Sequence, residues 1–196
     1  MGFVLTGGKS TRMGTNKAFL EFRGRTLLDR ALEVVRWVCP EPRIVGDAAM
    51  LARYSNVIGD VYPGCGPLGG IHAALRSTSA ELNFTLAVDM PFVSRDLLSF
   101  LGSIAENTDA VVTVPRTSRG FQPLCAVYRR AFTPVAEQAL REGKYKIDAL
   151  YSQVELRIID AKELSVAGFD ERNFFNVNTP EELRVALDVP NTESST

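Results

Sequence analysis

The stretch Asn83-Phe84-Thr85-Leu86-Ala87-Val88 carries no charged side chain and stops at Asp89-Met90-Pro91. A run this short and apolar reads as a strand buried on both faces, which requires helices on both sides of its sheet. The rest of the chain supplies them. Phe3 to Leu5 is another short apolar run, ended by Thr6-Gly7-Gly8. Leu27, Leu28, Ala31, Leu32, Val35 and Val38 fall at helical spacing, and Pro40 and Pro42 end that segment. Arg43 to Val45 and Val57-Ile58 read as strands, with a short helix expected over 48–53 between them. A helix is expected from Leu68 to Ser77, and another after Ser94, its N-cap, to Ala105. Ala110 to Val114 and Leu124 to Tyr128 read as strands on either side of a polar loop, Arg116 to Gly120. Helices over 130–142 and 146–151, a strand over 154–159 and a last helix from Pro180 complete the alternation. The pattern predicts an α/β fold whose mainly parallel, mixed central sheet is covered by helices on both faces.

A chain of 196 residues fits one domain, expected over 1–189, with 190–196 as a polar, disordered tail. With 22 Lys and Arg against 23 Asp and Glu, there is no global field to draw in nucleic acid or anionic lipid, so an anionic ligand needs a local cluster. Cys39, Cys65 and Cys125 are scattered and contain no CxxC pair. That fits neither a disulfide framework nor a zinc site, and suggests a reducing compartment. No apolar run approaches the roughly 20 residues of a membrane helix, and no signal-peptide pattern precedes Phe3-Val4-Leu5. Met1-Gly2-Phe3-Val4-Leu5-Thr6 matches a loose myristoylation pattern, but its apolar character reads better as a buried strand. A cytoplasmic protein, without nucleic-acid or membrane partners, is expected.

In such a sheet, ligands bind in the crevice beyond the carboxyl ends of the strands. Three segments there carry unusual chemistry. The first is Leu5-Thr6-Gly7-Gly8-Lys9-Ser10-Thr11-Arg12-Met13-Gly14-Thr15-Asn16-Lys17. Adjacent glycines let backbone N–H groups approach an anion, Arg12 offers a planar fork to phosphate and Lys17 a point charge. This segment contains neither GxGxxG nor the GxxxxGK[ST] loop, and a solvated basic turn is the plain alternative. The second is Asp89, whose hard oxygens suit Mg²⁺ among phosphates, although a turn aspartate before Pro91 is an equal alternative. Asp60, after Val57-Ile58, stands similarly at a strand end, followed by glycines at 64, 66, 69 and 70. The third is Asn176-Val177-Asn178-Thr179-Pro180-Glu181-Glu182-Leu183. An N-cap at Thr179, Pro180 in the first turn and Glu182 in a capping box explain its second half. They do not explain Asn176 and Asn178, which share one face of an extended strand.

Other candidates carry less. His72 is the one histidine, so a Ser-His-Asp or Cys-His hydrolase has no alternative base, and a helix face is its expected place. Cys65 lies in a Gly-rich loop without an evident activating partner. Trp37 and Phe174-Phe175 are expected in the core. Arg116, Arg119, Lys144 and Lys146 are expected as solvated loop cations, or as the holders of a second anionic substrate.

With these segments in view, the sequence resembles the molybdenum cofactor guanylyltransferase family, which moves GMP from GTP onto the terminal phosphate of molybdopterin. The first segment is similar to the family's L-x-G-G-x-S-x-R-M-G-x-[DN]-K signature. The likeness continues in order through Asp60, Gly66-Pro67-Leu68-Gly69-Gly70-Ile71, Asp89-Met90-Pro91-Phe92, Gln122 to Tyr128 and Asn176 to Pro180. It implies a Rossmann-like nucleotidyltransferase fold. It also implies that Leu5, Thr6, Gly7 and Gly8 line the guanine nucleotide pocket with Lys17 and Asp60, that Asp89 holds Mg²⁺, and that Asn176 and Asn178 lie on the acceptor side. Arg12, Lys17 and Asp89 are then the catalytic residues, and the product passes to cofactor-delivery proteins or molybdoenzymes. Thr6 departs from the usual alanine and Asn16 from the usual aspartate; Gly46 stands where some members carry an asparagine toward the nucleotide. The resemblance implies attack of an acceptor phosphate oxygen on the α-phosphorus, with pyrophosphate leaving. Because that phosphate is already ionised, no general base is required. A related cytidylyltransferase is the nearest alternative, and a non-catalytic nucleotide-binding regulatory module a more distant one.

Overall fold

The computed structural model describes residues 1–7 and 17–190. The expectations for Gly8, Lys9 and Arg12, and for the tail beyond Pro190, lie outside the described residues. In chain order the elements are β1 (Gly2–Leu5), β2 (Glu21–Phe22), β3 (Arg25–Thr26), α1 (Leu27–Arg36), β4 (Arg43–Val45), β5 (Val57–Ile58), α2 (Gly66–Arg76) and β6 (Leu82–Ala87). Then come α3 (Arg95–Glu106), β7 (Val112–Thr117), β8 (Gly120–Phe121), β9 (Cys125–Arg129), α4 (Phe132–Arg141), β10 (Leu156–Ile159), α5 (Ala161–Val166) and α6 (Pro180–Asp188). Short 3₁₀ segments cover Lys17–Phe19, Ile147–Gln153 and Glu171–Phe174.

The main sheet runs β10-β7-β9-β6-β1-β4-β5, with β8 paired to β7; β2 and β3 form a separate hairpin. β1 pairs in parallel with β4 and β6, β4 with β5, and β7 with β10. β9 is antiparallel to both neighbours, so along this row it alone is reversed. Alternate side chains of β1 enter opposite layers, as the pleat dictates. Val4 belongs to the apolar layer that includes α1, α3, α5 and α6, while Phe3 and Leu5 belong to the one that includes α2 and α4. Burial on both faces explains the apolar strands that the sequence displays.

The helices begin where capping chemistry places them. The hydroxyls of Thr26, Ser94 and Thr179 accept from the N–H groups of Asp29, Leu97 and Glu182. Three sequence expectations need correction. Residues 48–53 form turns instead of a helix, held partly by the Asp47 carboxylate accepting from Ala49 N–H at 2.9 Å. An aspartate serving backbone donors in this way favours a turn. Trp37 is 63% exposed, with the Arg95 guanidinium 4.9 Å from its ring centre, and is not core. It lies at the C-cap of α1, two residues past the last buried position, Val35, and so rotates to the outer face. The loop expected at 116–120 is largely a tight β7–β8 hairpin, with Gly120 in the left-handed φ range its turn requires. Phe174 is buried, and Phe175 packs against the same cluster.

Candidate active site

β1, β4, β5 and β6 point their carboxyl ends at one cleft of about 330 Å³. Its walls include Leu5, Thr6 and Gly7 after β1, Val45 from β4, Asp60 after β5, and Ala87, Val88 and Asp89 at the end of β6. Asn176 and Asn178 close it from the chain just before α6. The residues predicted for the nucleotide, metal and acceptor sides therefore meet, as far as they are described, at one place, the crevice expected of an open α/β sheet.

Lys17 is the hub of the polar side. Its Nζ lies 3.2 Å from Asp89 Oδ2 and 2.5 Å from Asn178 Oδ1, joining three separate segments of the chain. The side chains of Lys17 and Asp89 are only 20% and 18% exposed, so the pair faces the cleft and is not a fully solvated surface contact. The backbone supports this junction. Val177 N–H donates to the Asp89 carbonyl at 2.8 Å, and the fully buried Val177 anchors the two asparagines on either side. Asn178 N–H donates to Glu182 Oε2 at 2.7 Å, while Glu182 N–H donates to Thr179 Oγ1 at 3.1 Å. The Thr179–Glu182 cap of α6 thus also carries Asn178. This accounts for the asparagine that capping logic alone leaves unexplained.

Asp60 differs from Asp89. No donor reaches its carboxylate among the described residues, and burial pushes its pKa above the ordinary 3.8. Its carboxylate can accept from N–H or O–H donors. Beside it, the N-terminus of α2 meets the cleft through Gly66, Pro67 and Gly70. Gly64 and Gly66 both have positive φ, which permits the sharp entry into this helix, and its Cys65 N-cap makes no side-chain capping bond. An uncapped helix start at a cleft favours an anion.

Several sequence candidates fall elsewhere. His72 is fully buried in α2, outside the cleft lining, edge-on to Tyr62 at 5.2 Å, with neither ring nitrogen hydrogen-bonded among the described residues. Burial lowers its pKa below 6.5, so it is a neutral core residue. Lys144 and Lys146 pair with Glu142 and Asp148, and Arg116 lies 5.9 Å from the Phe121 ring centre. Neither these residues nor Arg119 line the cleft. Sequence reasoning missed Leu124 as a wall. It precedes β9, and it reaches the carboxyl side because that strand is reversed, which a local sequence pattern does not display.

Asp89 offers the hard-oxygen chemistry that Mg²⁺ uses, and the Lys17 ammonium shows that this spot holds positive charge. Among the described residues no three His, Cys, Asp or Glu side chains form a ready cage. The donor set fits an ion shared between one carboxylate and the phosphates of a nucleotide, as Mg²⁺ usually is.

The MobA-like NTP transferase domain family matches residues 2–156. A molybdenum cofactor guanylyltransferase from Desulfosudis oleivorans is 38% identical over 189 residues, covering 94% of this chain and 93% of its own. A probable molybdenum cofactor guanylyltransferase from Pelotomaculum thermopropionicum is 36% identical over 184 residues, covering 93% and 89%. Among solved structures, a molybdopterin-guanine dinucleotide biosynthesis protein A from Archaeoglobus fulgidus superposes with a TM-score of 0.83 at 29% identity, covering 94% of this chain and 95% of that one. Sheet, cleft and sequence agree: the chain belongs to the molybdenum cofactor guanylyltransferase family of MobA-like NTP transferases.

Proposed function

We propose that this chain transfers GMP from GTP to the terminal phosphate of molybdopterin, forming the guanine dinucleotide cofactor and releasing pyrophosphate. The observation that carries this reading is the junction of Lys17, Asp89 and Asn178 at the end of β1 and β6, in a chain of this family. An acceptor phosphate oxygen attacks the α-phosphorus of GTP in line, and pyrophosphate leaves. Two polyanions must approach one another, so neutralising charge and aligning groups are the main tasks of the protein. Asp60 accepts from donors of the guanine nucleotide, and Thr6 and Gly7 line the pocket. Lys17 balances the Asp89 charge in the free enzyme and donates to a phosphate oxygen once substrate is present. Asp89 would hold Mg²⁺, with Arg12 as a further phosphate clamp. Such an ion would supply positive charge at the phosphates where negative charge accumulates. Asn178 keeps Lys17 in place, and Asn176 stands on the acceptor side. No general base is required, consistent with a neutral histidine buried outside the cleft. The product passes to cofactor-delivery proteins or molybdoenzymes.

The test is pyrophosphate release with molybdopterin as acceptor, comparing GTP with CTP across a Mg²⁺ titration. GTP is the expected donor, and faster release from CTP overturns the guanylyl assignment. In Asp89→Asn, maximal turnover is expected to fall about 100-fold, equivalent to a loss of about 2.7 kcal/mol. Equal maximal rates and equal Mg²⁺ midpoints in wild type and variant remove Asp89 as the metal ligand.

A further inference from the structure

β1 and β4 end side by side, with Leu5 opposite Val45. One step further, Thr6 binds the Val45 carbonyl twice, through its N–H at 2.9 Å and its hydroxyl at 3.0 Å. Directly beside it, position 46 has no side chain. A Cβ built on Gly46 would lie 2.0 Å from Thr6 Oγ1, far too close, and 3.0 Å from Leu51 Cδ1, a tight contact. The Gly46 backbone has little room to withdraw, since its N–H donates to the Ile58 carbonyl at 3.0 Å and extends the β4–β5 ladder. Thr6 lines the cleft, whereas buried Gly46 does not.

We propose that Thr6 and Gly46 form one specificity-determining pair, in which the Thr6 side chain builds the part of the nucleotide wall that a side chain at position 46 would otherwise supply. This rests on the guanylyl-transfer reading of the same cleft. Two consequences follow from the geometry. First, a side chain at 46 fits only if Thr6 turns about χ1. That turn breaks the bond to the Val45 carbonyl and moves the hydroxyl or methyl from its seat at the wall. Second, the Thr6 hydroxyl proton is engaged by Val45, so its lone pairs remain as acceptors. Together with the Asp60 carboxylate, they make the wall rich in acceptors. Guanine presents an N–H and an amino group side by side, whereas cytosine presents one amino group next to acceptors. An acceptor-rich wall therefore favours guanine, because a base lacking the matching donors leaves desolvated acceptors unpaired.

The test is a mutant cycle on the full chain: wild type, Thr6→Val, Thr6→Ala, Gly46→Ala and the double variant Thr6→Ala with Gly46→Ala. Each is measured for GTP and CTP dissociation constants with Mg²⁺ present and for melting of the nucleotide-free protein. Thr6→Val keeps the shape and removes the hydroxyl. It is expected to weaken GTP about tenfold while CTP changes little, the scale of one lost hydrogen bond. Gly46→Ala is expected to lower the melting temperature and weaken GTP when Thr6 is present, and to do much less of both when combined with Thr6→Ala. Equal cost of Gly46→Ala in both backgrounds, or an unchanged GTP to CTP ratio in Thr6→Val, overturns the pair. If wild type itself prefers CTP, the guanylyl reading and with it the guanine preference fail. The melting cycle, which contains no nucleotide, then still decides whether positions 6 and 46 are coupled.

Discussion

At the residue scale, charge placement separates the working side chains from the structural ones. Lys17 links Asp89 and Asn178 but is not buried in the core, so Lys17→Ala is expected to cost the nucleotide-free protein about 1 kcal/mol or less, because the cleft lets water reach Asp89. Turnover is expected to fall about 100-fold, since a positive donor at the phosphates is lost. Pyrophosphate release beside apo melting curves checks both; large destabilisation with normal turnover reverses the assignment. His72 makes the opposite case. Its pKa is lowered by burial, so between that value and 6.5 the unfolded chain binds a proton that the folded chain refuses. Stability therefore falls as pH drops below 6.5, and is regained as pH rises through that window. His72→Leu removes two buried nitrogens without hydrogen-bond partners among the described residues and is expected to melt no lower than wild type near pH 7, with a flatter dependence below about pH 6.5. Parallel curves for the two proteins place the pH dependence elsewhere.

At the element scale, α6 does two jobs through one cap. Thr179→Ala removes the bond to Glu182 N–H and is expected to cost about 1 kcal/mol of stability. Glu182→Ala frees the Asn178 backbone and thereby loosens Lys17, so its loss of turnover is expected to exceed that of Thr179→Ala, with Glu182→Gln recovering part of it. Equal turnover for Thr179→Ala and Glu182→Ala restricts Glu182 to capping. Strand ends and caps of this kind are legible in the sequence because they rest on local chemistry: apolar runs, Ser or Thr before a helix, Gly at sharp turns. What stays hidden is non-local or too short to repeat. The β2–β3 hairpin has two residues per strand and turns at Arg23-Gly24, both at positive φ, which leaves no alternation to detect. α5 spans six residues with Leu164 as its buried residue, too few for a period. The Lys17–Asp89 contact joins residues 72 positions apart, and the Thr6–Gly46 fit depends on a strand pairing that neither segment announces. The site could be read as a set of residues, but its internal wiring could not.

At the scale of the whole molecule, the cleft is the shared end of many strands, so a ligand there stabilises the entire sheet. GTP with Mg²⁺ at 100 times its dissociation constant is expected to add about 2.7 kcal/mol, a rise in Tm of roughly 5–10 °C for a chain of this size. A larger rise with CTP contradicts the base preference. The link from Lys17 to Asn178 spans 161 positions and has a different consequence, one of timing. Every described strand of the main sheet is complete by Ile159, whereas Asn176 and Asn178 come later in the chain. On the ribosome, all the sheet strands can emerge before the arm that fastens Lys17. A nascent or clipped chain ending ahead of Asn176 has all the strands but lacks that fastener. A segment synthesised after every described strand of the main sheet thus supplies the contact that fastens Lys17.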